Sequence, residues 1–172
     1  MTSTERRNAI INKLKNNVEP IKGTDLAKFF NISRQVIVQD IALLRAQGED
    51  IIATPQGYMI PIKKDNRITK RIVCKHEGYN AIEEELQIMI DYGATIIDVI
   101  VEHPLYGEIT SVLNINHKRD LEYFINTITK KKAEPLATLT DGIHIHTIEV
   151  ANEEIFQELK KALNKKGYLI ND

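Results

Sequence analysis

The sequence predicts an α+β protein in two parts: a small helical unit closed by a hairpin, then an α/β sandwich domain with its elements in β-α-β-β-α-β-α order. Three observations predict it. Helical periodicity fills the chain as far as Ala46, with a connection of only Asn31-Ile32 between the second and third helices. After Asn66, β-branched runs alternate with helical ones. The charge also divides: residues 1–64 carry 10 Lys and Arg against 6 Asp and Glu, and residues 65–172 carry 13 against 18, so +4 and −5 make up the net −1. A basic front and an acidic back suit a nucleic-acid reader joined to a module that does not touch DNA.

A hydrophobic fraction of 42% and a charged fraction of 27% in 172 residues support two folded units rather than disorder. No apolar run approaches the roughly 18 residues of a membrane span, and Met1 to Asn8 lacks a signal-peptide core, so no membrane contact and a cytoplasmic location are expected. The single Cys74 rules out an intramolecular disulfide and argues against a cysteine-rich zinc site. Any metal must therefore use histidines and carboxylates.

Taken in order, Thr2 with Glu5 forms a capping box for a helix to about Asn16, burying Ile10, Ile11 and Leu14. A second helix is expected from the N-cap Thr24 to Phe30, burying Leu26, Ala27 and Phe30. Ser33 caps a third through Ala46, with Ile37, Ile41 and Leu44 inward. Its opposite face carries Arg34, Gln35, Val38 and Gln39, which with Ser33 form the candidate DNA-binding set. Asp40 falls near the apolar stripe and is read as a structural partner for an arginine or a backbone amide. The short connection forces the second and third helices to a steep angle, as in a helix-turn-helix. Ile51–Thr54 and Tyr58–Ile60 around Pro55-Gln56-Gly57 form a wing. The segment ISRQVIVQDIALLRAQG and its surroundings resemble the winged helix-turn-helix of bacterial repressors.

The polar stretch Pro61 to Asn66 is the expected linker, giving domains over 1–62 and 67–172. A strand follows over Ile68–Lys75, then a helix capped by Asn80 with Glu83, burying Ile82, Leu86 and Met89 and ending at Gly93. Strands Thr95–Glu102 and Gly107–Ile115 join across His103-Pro104-Leu105-Tyr106. A helix with Leu121, Phe124, Ile125 and Ile128 inward ends at Lys130, Lys131 and Lys132, a solvated cap. Asp141-Gly142 turns into strand Ile143–Val150, and Asn152 caps a last helix with Ile155, Leu159 and Leu163 inward. This order is compatible with a split βαβ sandwich with helices on one face of a mainly antiparallel sheet. The other face is left for a ligand or a second subunit.

Four of the five histidines fall on strands or at their ends. His144 and His146, two apart on a strand, project from one face and can offer two imidazoles to one ion; equally, they can simply alternate with Ile143 and Ile145 in a half-exposed strand. His76 ends the first strand of the domain, and Glu84 lies in the helix that follows. His117 opens a helix and reads as a surface residue.

The segments CKHEGYNAIEEEL, DVIVEHPLYGEI and DGIHIHTIEV, in this order behind a winged helix, resemble the three-histidine (3H) domain of bacterial nicotinate-responsive repressors of NAD biosynthesis. The resemblance spans nearly the whole chain. It implies a divalent metal, zinc or nickel, held by His76, Glu84, His144 and His146. It also implies nicotinate as corepressor. His103, the remaining family-like histidine, stands at a strand end before Pro104, where it can hydrogen-bond or line the ligand pocket or, equally, pair with the backbone. A non-enzymatic repressor that binds operator DNA as a homodimer is the expected function, controlling NAD biosynthesis or niacin uptake. Two alternative readings are a metal-responsive regulator without an organic effector, and a metal-dependent hydrolase with Glu77, Glu83 or Glu85 as base. Against the hydrolase, the sequence has no nucleophile elbow, phosphate loop or HExxH motif.

Overall fold

A computed structural model of the chain describes residues 1–61 and 66–171. They fall into two compact units, Met1–Lys63 and Lys64–Asp172. The expected linker lies largely on residues 62–65, outside the described residues.

In the first unit, helix α1 (Ser3–Lys15) begins at Thr2 with the expected capping box: Thr2 Oγ1 accepts from the Glu5 N–H, and Glu5 accepts from the Thr2 N–H. Helix α2 (Gly23–Phe30) starts one residue before Thr24, and its N-cap is Lys22, which supplies no side-chain cap. The reason lies in the wing. Ile21 pairs with Tyr58 through both backbone hydrogen bonds, so the chain stays extended to residue 22 and turns helical at once. Asn31, left-handed at φ 53°, ends α2. Ser33 then caps α3 (Arg34–Ala46) by accepting from the Val36 N–H at 3.3 Å. The core comprises Ile10, Leu14, Leu26, Ile37, Ile41 and Leu44, with Phe30 half-buried at its margin. Each fully buried aliphatic side chain contributes about 1.5–3 kcal/mol, so packing rather than helix propensity holds the eight-residue α2.

The wing is the antiparallel pair β1 (Ile52–Thr54) and β2 (Gly57–Met59). Gly57 sits at φ 143°, and a Cβ there would lie 2.3 Å from the Ile21 carbonyl oxygen, so only glycine allows the wing to close on Ile21. Asp40 is buried on α3 and forms a two-contact ion pair with Arg6, at 2.6 and 3.2 Å, with Arg7 3.7 Å away. It is the structural partner of an arginine that its position suggested.

The second unit runs β3 (Ile68–Lys75), α4 (Tyr79–Asp91), β4 (Thr95–His103), β5 (Gly107–Ile115), α5 (Lys118–Lys131), a 3-10 turn (Leu136–Thr140), β6 (Ile143–Val150) and α6 (Glu153–Lys165). The 3-10 turn is an addition to the expected order. Helix α4 is capped by Gly78, at φ 85°, and not by Asn80: the glycine turns the chain straight out of β3 into a helix beginning at Tyr79.

The sheet order is β3-β6-β4-β5 with every neighbour antiparallel. β3 and β4, both antiparallel to β6, are therefore parallel to each other, and β6 is inserted between them. This is the split βαβ unit, with α4 as its crossover. One sheet face supplies Ile72, Cys74, Ile96, Leu113, Ile115 and Ile148 to the core, against Leu86 and Met89 of α4, Leu121 of α5 and Phe156, Leu159 and Leu163 of α6. On the opposite face Val73 and Ile143 are exposed. Beyond α6, Leu169 bridges Cys74 and the Ile170 N–H donates to the Val73 carbonyl, so the chain end covers the outer edge of β3.

Candidate metal centre, effector cavity and DNA-reading helix

Strand register brings the three histidines together. Cys74 pairs with His144 and Ile72 with His146, so both imidazoles share a face with the end of β3, where His76 follows. Gly142 fixes the join. Its carbonyl accepts from the His76 N–H at 3.3 Å, and a Cβ at residue 142 would lie 2.5 Å from the His76 carbonyl oxygen. With φ at +85° as well, this position requires glycine.

The carboxylate in the cluster is Glu85, not Glu84. His76 Nε2 lies 2.6 Å from Glu85 Oε2, His144 Nε2 3.3 Å and His146 Nε2 3.5 Å, and the Glu85 side chain is 1% exposed. Glu84 points away and is held by Lys166 and the Tyr168 hydroxyl. Helix geometry separates the neighbours. At about 100° per residue, Glu85 stands about 60° from Ile82 on the buried side, and Glu84 about 160° away on the other. The inward stripe of Ile82, Leu86 and Met89 therefore carried the signal for Glu85, whereas an eight-residue spacing from His76 selected Glu84.

The outer nitrogens of two rings are fixed by backbone carbonyls. His144 Nδ1 donates to the Gly142 carbonyl at 2.8 Å, and His146 Nδ1 to the Asp98 carbonyl at 2.7 Å. Asp98 reaches this place through a bulge in β4 between Ile96 and Asp98, and its carboxylate accepts from the Thr147 N–H at 3.0 Å. A carbonyl can only accept, so each of these rings carries a proton on Nδ1, and a neutral ring turns its Nε2 lone pair inward. Two lone pairs and a buried carboxylate then face one another, an arrangement that repels unless a cation or an extra proton lies between them. Three imidazoles and a carboxylate, with two of the rings oriented by outer-nitrogen hydrogen bonds and the buried His76 Nδ1 left without a partner among the described residues, are a donor set for a divalent transition metal. The donor atoms of His76, Glu85 and His144 lie within 4.8 Å of one another.

The electrostatics follow the same geometry. Burial acts to raise the Glu85 pKa, but His146, His144 and His76 outweigh it and hold the carboxyl well below its usual range. Burial acts to lower that of His146, yet the Glu85 charge and hydrogen bond bring it above the ordinary imidazole value. Cys74, fully buried, has its thiol pushed up first by burial and then by the Glu85 charge. Tyr168, packed edge-on against His76 at 5.1 Å between ring centres, is raised to about 12, chiefly by its hydrogen bond to Glu84 and then by burial.

From the cluster a cavity of about 170 Å³ extends across the sheet, floored by Val99, Ser111 and Leu113 and walled by Ile82 of α4, Phe124 of α5 and Pro135. A dry cavity of about 150 Å³ accommodates a benzene ring, so this one has room for a small monocyclic ligand. His103 does not line it. It stands at the tip of the β4–β5 hairpin, where its Nδ1 accepts from the Leu105 and Tyr106 N–H groups at 3.1 and 3.2 Å. Its work is to shape the turn. His117 is half-exposed and contacts Asp120 at 2.9 Å, away from the cluster.

In the first unit, Arg34, Gln35 and Gln39 are exposed and Val38 is half-buried, all on the outward side of α3. Ser33 is exposed as well, though its hydroxyl is engaged as the α3 cap.

Residues 69–172 match the 3H domain, and residues 6–59 match an HTH domain. The chain belongs to the 3H-domain family. Among its relatives, the probable transcription repressor NiaR of Thermotoga maritima is 42% identical over 98% of this chain and 95% of its own length. The transcription repressor NadR of Bacillus subtilis is 39% identical over 100% of this chain and 97% of its own. These relatives and the DNA-binding domain agree with the expectation that the chain is not an enzyme. Among the described residues no helix is long and apolar enough to cross a membrane.

Proposed function

We propose that this protein is a transcription repressor that binds operator DNA as a homodimer and senses nicotinate at a metal site in its 3H domain, controlling NAD biosynthesis or niacin uptake. One observation carries the reading: the inward-turned nitrogens of His76, His144 and His146 meet the Glu85 carboxylate at the mouth of an apolar cavity large enough for one aromatic ring. When bound, zinc or nickel supplies a positive point that attracts the ligand's carboxylate. Ile82, Val99 and Phe124 bury the ring and exclude water, and the Gly142 and Asp98 carbonyls keep His144 and His146 aimed. The α3 face of Arg34, Gln35, Val38 and Gln39, with Ser33, reads DNA.

The cavity favours an organic effector over metal sensing alone, since a bare ion needs no apolar chamber beside it. Calorimetry on zinc-loaded protein with nicotinate, nicotinamide and NAD tests the reading. It predicts binding of nicotinate and weaker binding of the other two, and failure of all three to bind would overturn it.

A further inference from the structure

On the reading that a monocyclic aromatic carboxylate occupies the cavity with its carboxylate at the metal, we propose that Ser111 is the residue that recognises the ligand's far edge and sets its selectivity. The register places it there. Val99 pairs with His146 on one side and with Ser111 on the other, so the three residues form one row across β6, β4 and β5. His146 and Ser111 thus stand two strand spacings apart, about 10 Å between backbones, on the face that lines the cavity. A single ring bearing a carboxylate is short enough to lie between side chains this far apart on one sheet face.

The chemistry of the floor narrows the choice of residue. Val99 and Leu113, beside Ser111, offer no polar atom, and the facing Phe124 and Ile128 of α5 offer none. Glu134, at the rim, is exposed and would repel an anionic ligand. The Ser111 hydroxyl is not hydrogen-bonded to another described side chain, which leaves it able to donate to a ring nitrogen or another acceptor on the ligand edge. A ligand with no acceptor at that edge forgoes this bond, while its carboxylate is held as before.

The test uses full-length, zinc-loaded protein and two probes that share a carboxylate and a ring, nicotinate and benzoate, with affinities read by calorimetry. Wild type is expected to prefer nicotinate by about 3- to 10-fold, the worth of one neutral hydrogen bond. Ser111→Ala should lose that preference by weakening nicotinate alone, with zinc affinity and benzoate affinity unchanged. Ser111→Thr, which keeps the hydroxyl on a β-compatible side chain, should retain it and guards against a folding defect in the alanine variant. A Ser111→Ala protein that still prefers nicotinate as wild type does would overturn the role of Ser111 while leaving the effector reading intact. Absence of nicotinate binding to wild type would overturn both.

Discussion

Replacing Glu85 by Gln keeps the shape of the side chain and removes only its charge, at a position 1% exposed and within 3.5 Å of three imidazole nitrogens. The metal-free fold should survive, because the Gln amide keeps an acceptor oxygen and adds an N–H that can donate to an imidazole lone pair. Metal binding should not survive so well. Loss of an orienting partner in a metal site costs roughly 10- to 100-fold in affinity, and a direct anionic donor should cost at least that, or about 1.4–2.7 kcal/mol. Glu84→Gln is the matched control: it alters contacts to Lys166 and Tyr168 but no donor atom of the cluster. Competition against a chromogenic zinc chelator, with thermal melting in the presence and absence of zinc, reads both effects. Weaker zinc binding in Glu85→Gln and unchanged binding in Glu84→Gln are expected. The converse pattern would refute the assignment of the carboxylate.

Three further outcomes are expected. Arg34→Ala or Gln35→Ala should weaken operator binding by about 1–3 kcal/mol where a base contact is lost, with nicotinate affinity unchanged; gel-shift titrations in which sequence preference persists in both would discard that face of α3. Asp40→Ala leaves the Arg6 guanidinium without its carboxylate partner and should destabilise the first unit, read as a fall in denaturant midpoint. Residues 65–172 expressed alone should form a symmetric dimer, and a monomer by light scattering at micromolar concentration would contradict that prediction.

Most of the fold was legible because hydrophobic periodicity and turn residues act locally. Strands β3, β5 and β6 fall on their expected residues, and the caps Thr2, Ser33 and Asn152 act as expected. The helix starts that moved, at Lys22 and Gly78, are governed by contacts from distant segments: the Ile21–Tyr58 bridge in one case, and the tie of His76 to Gly142 before a positive-φ turn in the other. At the site, the His144/His146 pair follows from strand period, whereas the convergence of His76 depends on β6 being inserted beside β3, which no local pattern encodes. Glu85 was readable from the helix wheel alone. Asp98 was not, since only the bulge in β4 brings its carbonyl to His146. For His103 the strand-end position left both a pocket contact and a backbone pairing open, and in the fold two backbone N–H groups bond its ring nitrogen.

The most direct test of the central claim is operator affinity of the zinc-loaded full chain, measured by gel shift with and without nicotinate, for wild type, His146→Ala and His117→Ala. A nicotinate-dependent change in wild type and His117→Ala, lost in His146→Ala while its basal DNA binding persists, is the predicted result. If His146→Ala keeps stoichiometric zinc and the same nicotinate response as wild type, the cluster of His76, Glu85, His144 and His146 is not the effector switch.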